Sequence, residues 1–505
     1  MHYVHLIGTI IYFTMLIGLS CYGLHRYWML YLYYKHRKET PTPMGRLDPL
    51  PKVTVQLPLY NEMYVVERLI DAVVALDYPK DKLQVQVLDD SNDETADIVN
   101  RKVTELRAEG FDIAAVRRLD RTGYKAGALQ NGLLMATGEF IAIFDADFVP
   151  QPSFLKRTIQ FFSDPKVGMV QTRWGHLNGN DSLLTRLQSM FVDGHFIIEQ
   201  SARARSGRFM NFNGSAGIWR RLAIESGGGW HADTLAEDLD LSYRAQLKGW
   251  RFLFLPEVVT PGELPPDMNA FKTQQHRWAK GSIQASKKLL PRLWRSHLPL
   301  KVKLEGTIHL VSYFNHFLLL LLCVTLYSSV SATTAGVFGL HSPVKFLLVD
   351  VPLFFAGTVS VVAFYMCAQR ELKGSWWKCP LYMPALMAVG IGLSVNNARA
   401  VLEALFNHKS EFVRTPKYGD SRREKTILPG KYFALRGLVP YVELGFGVYF
   451  SYLLFQAMNR NQWSMIPFVL IFQVGFLYVG LMSVAQTSFQ LFRQTHQTAL
   501  SAAGA

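Results

Sequence analysis

The sequence contains few cysteines and few charged residues. Only four cysteines occur among 505 residues; all lie in or beside apolar runs, and no two have the spacing of metal ligands. This argues against a disulfide-stapled scaffold or a zinc module. Charged residues make up 18% of the chain and hydrophobic residues 49%. Because the apolar residues are concentrated towards both ends, the composition predicts a soluble domain placed between membrane segments.

The positive net charge of +14 has two possible meanings. It could indicate a nucleic-acid partner, but the basic residues sit mainly beside apolar runs, as Lys35, Arg37 and Lys38 do after the first one. That placement is typical of cytoplasmic flanks and of contacts with lipid headgroups. We therefore expect membrane lipids and no nucleic acid among the partners.

Long apolar runs predict several membrane segments. A helix that crosses a bilayer core of about 30 Å needs ~20 apolar residues. Residues 1–33 qualify, and since no basic stretch precedes them and no small-residue cleavage site follows, we expect a retained transmembrane anchor. The shorter run 380–395 is followed by an amphipathic stretch, which predicts an interfacial segment over 380–408. Four further runs predict spans: 305–330, 346–368, 434–457 and 463–485.

The predicted spans divide the chain into three parts. Residues 1–33 form the anchor, 45–300 a soluble domain, and 301–495 a membrane region that contains a basic loop at 409–431. No lysine or arginine precedes Arg26, whereas several follow it. The positive-inside rule then places the N-terminus outside and the soluble domain in the cytoplasm.

Within the soluble domain, short β-branched runs alternate with helical patterns. This alternation predicts a mostly parallel sheet covered on both faces, with ligands beyond the carboxyl ends of the strands. Helices are expected near 62–76, 94–108 and 124–137, and Ser91 with Glu94 has capping-box spacing. The predicted strands are Val53–Leu57, Leu83–Leu88, Ile113–Val116, Phe140–Phe144 and Val167–Thr172.

Acidic and basic side chains follow these strands. Asp145 and Asp147 leave one strand end together and could bind Mg²⁺ or Mn²⁺ bridged to a diphosphate, or could form a solvated turn. Asp89 and Asp90 end another strand, where a carboxylate could accept hydrogen bonds from a base or ribose; helix capping is the alternative. Lys125 begins a helix and could pair with phosphate oxygens, although such lysines are common on surfaces.

Two later motifs suggest a transfer reaction. Glu237 and Asp238 open a helix, where acidic residues are favoured by the helix dipole; alternatively, Asp238 is a general base that deprotonates an acceptor hydroxyl. A single base without a second nucleophile indicates inversion of configuration. Gln274, Arg277 and Trp278 share a helix face, where arginine could neutralise a leaving diphosphate and tryptophan could stack on a sugar. The competing interpretation is an amphipathic interface helix.

In this order, the motifs resemble those of family 2 glycosyltransferases, especially processive members such as cellulose, chitin and hyaluronan synthases. The strings Val170–Trp174, Phe212–Trp219 and Gln274–Trp278 are similar to those of plant cellulose-synthase-like A and C proteins. The resemblance covers roughly residues 50–430 and implies a GT-A fold. It also implies a nucleotide pocket lined by Pro58, Tyr60, Glu62, Asp89, Asp90, Lys125 and Asp145.

The resemblance extends to a loop in the membrane region. Residues 412–417 resemble the gating loop of cellulose synthase, which implies that Thr415 and Lys417 contact the diphosphate. Arg414 replaces a valine of that pattern, so the match is partial. Ala236 replaces the threonine that usually precedes the Glu-Asp pair, which retains the base but removes a hydroxyl.

These observations predict a multi-pass enzyme of a plasma, inner or Golgi membrane that polymerises a β-linked glycan and exports it. UDP-glucose is favoured as donor and β-1,4-glucan as product, with the growing glycan as acceptor. A polar stripe formed by His309, Tyr313, Asn315 and His316 suits a sugar path, or alternatively helix–helix hydrogen bonding. Three alternatives stay open: a mannan or glucomannan synthase using GDP-mannose, a glycolipid glycosyltransferase, and a receptor or transport protein.

Overall fold

A seven-stranded sheet organises the soluble domain of the computed structural model, which describes residues 2–333, 351–373, 376–408, 419 and 437–503. The strand order is β3-β2-β1-β4-β6-β5-β7. Strand β6 runs antiparallel to both of its neighbours, and all other paired strands are parallel. The predicted mostly parallel sheet is confirmed. The strands are β1 Val53–Leu59, β2 Leu83–Asp89, β3 Asp112–Val116, β4 Phe140–Ile143, β5 Val167–His176, β6 Gly217–Arg220 and β7 Arg251–Gly262.

All five predicted strands are present. The predicted and observed ends agree to within two residues, except that β5 continues four residues beyond its predicted end. Strands β6 and β7 were not predicted. Four residues give β6 no usable periodicity, and β7 contains Pro256 and Pro261, which weaken the sequence signal of a strand.

Helices cover both faces of the sheet and begin with a long N-terminal helix. The predicted capping box at Ser91 and Glu94 is wrong. The Ser91 hydroxyl accepts a hydrogen bond from the Asn61 amide, and the Asp93 carboxylate instead accepts one from the Thr95 amide at the helix start.

The helices up to the end of this domain are α1 His2–His36, α2 Val66–Val74, α3 Thr95–Ala108, α4 Tyr124–Met135, α5 Phe154–Thr158, α6 Leu183–Asp193, α7 Ser201–Arg205, α8 Arg221–Ser226, α9 Glu237–Leu247 and α10 Met268–Arg295.

The later helices form the apolar region. Within the described ranges, three stretches are long and apolar enough to cross a membrane, Val351–Leu372, Cys379–Leu405 and Ile466–Phe489. A bent pair, Leu300–Leu310 and Phe314–Thr325, turns by 58° and would be a fourth if it is one span. The helices are α11 Leu300–Leu310, α12 Phe314–Thr333, α13 Val351–Phe354, α14 Ser360–Lys373, α15 Cys379–Gly392, α16 Ser394–Leu405, α17 Val439–Asn459 and α18 Ile466–Ala503.

The segment predicted as interfacial, 380–408, contains a helical stretch that is long and apolar enough to cross a membrane. Helices α15 and α16 together provide 27 residues with a suitable hydropathy. The polar residues that argued against a span are buried inside the protein: Asn396 and Asn397 are at most 1% exposed. The Asn396 side chain donates to the Lys272 carbonyl oxygen at 2.9 Å. A donor group satisfied in this way does not oppose burial in a membrane.

A π-helical segment, Gly194–Gln200, joins the two regions. It continues α6 into α7 and packs against β5 and β7 of the sheet on one side and against α1 and α14 on the other. A side chain at Gly194 would collide with Phe364 and Tyr365 of α14, so glycine permits this close approach. Such π-helical insertions are frequent at functional sites.

Candidate active site

One continuous cavity of about 1630 Å³ links the sheet to the membrane helices. It begins at the carboxyl ends of β1, β2 and β4, as expected for an open α/β sheet, and continues to residues of the predicted polar stripe. His309, Tyr313, Asn315 and His316 all line it. Twelve of the predicted site residues also line it: Pro58, Tyr60, Glu62, Asp90, Lys125, Asp145, Asp147, Glu237, Asp238, Gln274, Arg277 and Trp278.

Among the described residues, one predicted site residue, Asp89, is not in this lining. The Asp89 side chain is fully buried and paired with Arg117, and it accepts a hydrogen bond from the Ser91 amide at 2.9 Å. Asp89 therefore supports the loop after β2. Its side chain does not face the cavity, contrary to the prediction that it contacts the nucleotide. Thr415 and Lys417 lie outside the described residues, so their contact with the diphosphate stays a prediction.

Two arginines at the sheet end of the cavity were not among the predicted site residues: Arg121 lines the cavity, and Arg118 supports a residue that does. Arg118 holds Asp90 through two hydrogen bonds, Nε to Oδ1 at 3.0 Å and Nη2 to Oδ2 at 2.5 Å. The Arg121 guanidinium lies 3.2 Å from the centre of the Tyr60 ring. Both arginines follow β3, at the same sheet edge as Asp90. Because ligands bind beyond the carboxyl ends of strands, the position of both arginines just after a strand could have identified them from the sequence.

Lys125 lies among the carboxylates at the centre of the site. Its ammonium donates to Asp145 Oδ1 at 2.5 Å and to the Gly214 carbonyl oxygen at 2.9 Å, and lies 3.9 Å from Glu237. Burial opposes the charged ammonium, but the carboxylates of Asp145 and Glu237 outweigh it and raise the pKa of Lys125. The lysine is therefore charged at neutral pH and offsets part of the negative charge here.

Asp238 has the properties of a proton acceptor near neutral pH. It lies in the first turn of α9, and its Oδ1 accepts a hydrogen bond from the Leu239 amide at 2.7 Å. Burial, reinforced by the adjacent Glu237 and opposed by Lys125, raises the pKa of Asp238 to about 7. General bases work best with a pKa near the operating pH.

The residues present fit a divalent cation in this cavity. Asp145 and Asp147 supply carboxylate oxygens, the ligand type that Mg²⁺ and Mn²⁺ prefer, and both line the cavity beside Lys125. A second acidic group, formed by Asp233, Asp240 and His231, brings its ligand atoms within 4.8 Å of one another. Lys288 Nζ lies 2.8 Å from Asp233 and 3.0 Å from Asp240, and Arg244 Nη2 lies 2.8 Å from Asp240, so two cations already balance the two carboxylates of that group.

Helix α10 presents opposite faces to the cavity and to the membrane region. Gln274, Arg277 and Trp278 face the cavity. Between them, His276 turns towards α16, where its Nε2 lies 3.2 Å from Glu403. Lys280 reaches the same carboxylate at 3.0 Å. The motif residues therefore share one face, as their spacing predicts.

Comparison with known proteins places this site in a family. Residues 51–281 match the model described as glycosyltransferase like family 2. A relative from Arabidopsis thaliana, glucomannan 4-beta-mannosyltransferase 7, is 32% identical over 454 residues, which cover 85% of this chain and 77% of the relative. The chain belongs to glycosyltransferase family 2. It is therefore an enzyme, which excludes the receptor and transport alternative.

Two further comparisons concern fold and length. The chain is similar in structure to the mannosyltransferase PcManGT from Pyrobaculum calidifontis, solved with GDP-Man and Mn²⁺, with a TM-score of 0.52 and 22% identity. That likeness covers 78% of this chain and 99% of the archaeal one, and confirms the GT-A fold. Glucomannan 4-beta-mannosyltransferase 1 of Oryza sativa subsp. japonica is 41% identical over 299 residues, 56% of each chain. The chain spans about half the length of several relatives of this kind.

Proposed function

We propose that this family 2 glycosyltransferase transfers mannose from GDP-mannose to a β-1,4-linked glycan, with inversion at the anomeric carbon. The observation that carries the choice of sugar is the similarity to relatives named glucomannan 4-beta-mannosyltransferases. This similarity favours the alternative of a mannan or glucomannan synthase that uses GDP-mannose over the expected synthesis of β-1,4-glucan from UDP-glucose. The expectation of a nucleotide-sugar donor stays.

The arrangement of side chains supports a single displacement. Asp238 takes the proton from the acceptor hydroxyl as that oxygen attacks the anomeric carbon, and the nucleoside diphosphate leaves with the bonding electron pair. Arg277 neutralises charge that develops on the leaving group. Trp278 offers its ring to the acceptor sugar.

The carboxylates around Lys125 serve the donor end. Asp145 and Asp147 would hold Mg²⁺ or Mn²⁺, which supplies positive charge to the diphosphate when bound. Lys125 fixes Asp145 and adds a further positive charge beside the leaving group. Tyr60 and Asp90 contact the nucleoside, with Arg118 holding the Asp90 carboxylate in place.

Export of the product is supported by the continuity of the cavity. The same space that contains Asp238 reaches Tyr313 and His316 between the membrane helices. We propose that the catalytic domain faces the cytoplasm of a plasma, inner or Golgi membrane and that the glycan leaves through this passage. A non-processive transfer to a lipid is the second candidate, since the membrane part of the cavity is also lined by apolar residues such as Leu16, Leu322 and Phe472.

The test is a product assay on the purified full chain in detergent or nanodiscs. Labelled GDP-mannose and UDP-glucose are supplied separately with Mn²⁺ or Mg²⁺ and a β-1,4-mannan oligosaccharide. We expect a mannose polymer that an endo-β-1,4-mannanase degrades and a cellulase does not. Incorporation from UDP-glucose alone would overturn the choice of sugar, and a solvent-extractable single-sugar lipid would favour the second candidate.

A further inference from the structure

A histidine on the π-helical segment is hydrogen-bonded at both ring nitrogens. His195 Nδ1 lies 2.9 Å from Glu199 Oε2, and its Nε2 lies 2.9 Å from Asn213 Nδ2. All three residues line the cavity. None of them was among the predicted site residues.

The partners determine the protonation of this ring. Gln200 Nε2 donates to the Asn211 carbonyl oxygen at 2.8 Å and to Asn213 Oδ1 at 2.5 Å, which turns the amide nitrogen of Asn213 towards His195. An amide nitrogen only donates, so His195 Nε2 accepts this hydrogen bond, and Nδ1 carries the hydrogen that it donates in the bond to Glu199. The two hydrogen bonds therefore define one tautomer of the ring.

Glu199 is held in its ionised form behind the histidine. Burial alone would raise the pKa of Glu199, but Arg203 and His195 hold it well below its usual range. Arg203 Nη1 lies 3.3 Å from Glu199, and Arg203 Nε donates to Glu305 at 3.0 Å. His25 of α1 bonds the same Glu305 at 2.9 Å. This buried chain of charges connects the histidine to α1 and α11.

On its other side, Asn213 begins the turn that contacts the catalytic groups. The next residue, Gly214, accepts a hydrogen bond from Lys125 through its carbonyl oxygen. A side-chain carbon at Gly214 would lie 3.0 Å from Asp238 Oδ2. The Ser215 hydroxyl accepts a hydrogen bond from the Asp145 amide at 2.9 Å. Residues 213–215 thus touch the base, the central lysine and the chain that carries the metal ligands.

We propose that His195, donating from Nδ1 and accepting at Nε2, is a positioning residue that fixes the Asn213–Ser215 turn and through it the donor-binding groups Lys125 and Asp145. This rests on the proposed function, because it assigns His195 a part in the same transfer reaction. His195 acts through Asn213 and does not touch the reacting atoms. Its partner Glu199 provides the fixed charge that selects the tautomer.

Two substitutions at His195 separate the hydrogen bond from the volume of the ring. His195→Phe keeps a ring but removes both bonds, whereas His195→Gln can place a carbonyl oxygen where Nε2 lay and accept from Asn213. Loss of one such bond changes an equilibrium by about tenfold. We therefore expect His195→Phe to raise the donor KM and to weaken binding of GDP with Mn²⁺ by about tenfold each, with kcat also lower. His195→Gln should restore both to within about threefold of the wild type.

His176 supplies the matched control. It also lines the cavity and pairs with a carboxylate, Asp193, at 2.9 Å, but takes no part in the hydrogen bonds described above for residues 213–215. His176→Phe should leave the donor KM and GDP affinity unchanged. Each assay uses the donor that the wild type accepts, and the nucleoside diphosphate of that donor, GDP or UDP, is titrated. A wrong choice of sugar in the proposed function therefore does not affect the result.

The outcomes decide between positioning and other roles. An unchanged donor KM and nucleotide affinity in His195→Phe would overturn the proposal. A rise confined to the acceptor KM would also overturn it, because it would show direct contact with the glycan. Equal loss in His195→Phe and His195→Gln, at an unchanged melting temperature, would show that the bond to Asn213 is not what matters.

Discussion

The ammonium of Lys272 lies 2.7 Å from a carboxylate oxygen of Glu443. Their side chains are 3% and 0% exposed, and Ser483 of α18 contacts the same ammonium at 3.2 Å. Lys272 is on α10, two residues before Gln274, whereas Glu443 is on α17. The helix that carries the cavity-facing motif is thus bound directly to the membrane region, and its position depends on that region.

Breaking this pair should destabilise the protein strongly. Removing one partner leaves an uncompensated buried charge, so Lys272→Met and Glu443→Leu should each lower the free energy of unfolding by about 3–5 kcal/mol. The double variant Lys272→Met/Glu443→Leu leaves no buried charge and should recover most of the loss. Thermal unfolding in detergent, followed by tryptophan fluorescence, measures the coupling. If the double variant lost the sum of the two single-variant losses in free energy of unfolding, the proposed coupling between Lys272 and Glu443 would be contradicted.

Replacing the proposed base should abolish transfer without loss of the fold. Asp238→Asn keeps the shape of the side chain but cannot accept the proton, so kcat should fall by about 10²–10⁴-fold. Binding of GDP with Mn²⁺ should be retained. Because burial disfavours the charged carboxylate, the neutral amide should unfold at the same or a higher temperature than wild type above pH 7. Substantial activity in Asp238→Asn would assign the base elsewhere.

The pH dependence of the reaction should follow the same carboxylate. With the pKa of Asp238 raised to about 7, kcat/KM should fall as the pH drops below about 7 and the base becomes protonated. Glu237 contributes to the raised pKa by repulsion. Glu237→Gln removes that charge and should lower the pKa, moving the acid limb of the profile to lower pH. A profile that shifts upwards would contradict this electrostatic assignment.

Local sequence patterns were sufficient for five of the seven strands and for most of the carboxylates, because apolar runs of strand length end visibly in acidic residues. They could not distinguish Asp89 from Asp90. Strand β2 is buried on both faces, so no alternation shows which of two successive carboxylates faces the cavity. The partners of His195 and Glu403 were also beyond prediction, since those contacts join elements that only the tertiary fold brings together.

Replacing Trp278 should change the KM for the acceptor glycan. Trp278→Ala removes the ring that we place against the acceptor sugar, and aromatic stacking of this kind contributes about 0.5–1.5 kcal/mol beyond the area it buries. We expect an acceptor KM raised by several-fold to tenfold with the donor KM unchanged. Trp278→Phe should recover part of the loss. Steady-state kinetics with mannan oligosaccharides of defined length provides the measurement, and an effect confined to the donor KM would contradict the placement.

Gly214 permits a close approach that an alanine would prevent. Its φ is +84°, a left-handed conformation that costs a residue with a side chain roughly 1–2 kcal/mol. In addition, an added Cβ would meet Asp238 Oδ2 at 3.0 Å and Lys125 Nζ at 3.4 Å. Gly214→Ala should therefore both destabilise the protein and displace the base, which lowers kcat far more than stability alone explains.

Gly207 separates the two effects of that substitution. It has a comparable φ of +67°, but no atom lies within 4 Å of an added Cβ. Gly207→Ala should carry the same backbone cost and retain normal transfer activity, because it crowds nothing. Melting temperatures and kcat measured for both variants give the comparison. If the two variants lost equal stability and equal activity, the contact between Gly214 and Asp238 would have no catalytic consequence.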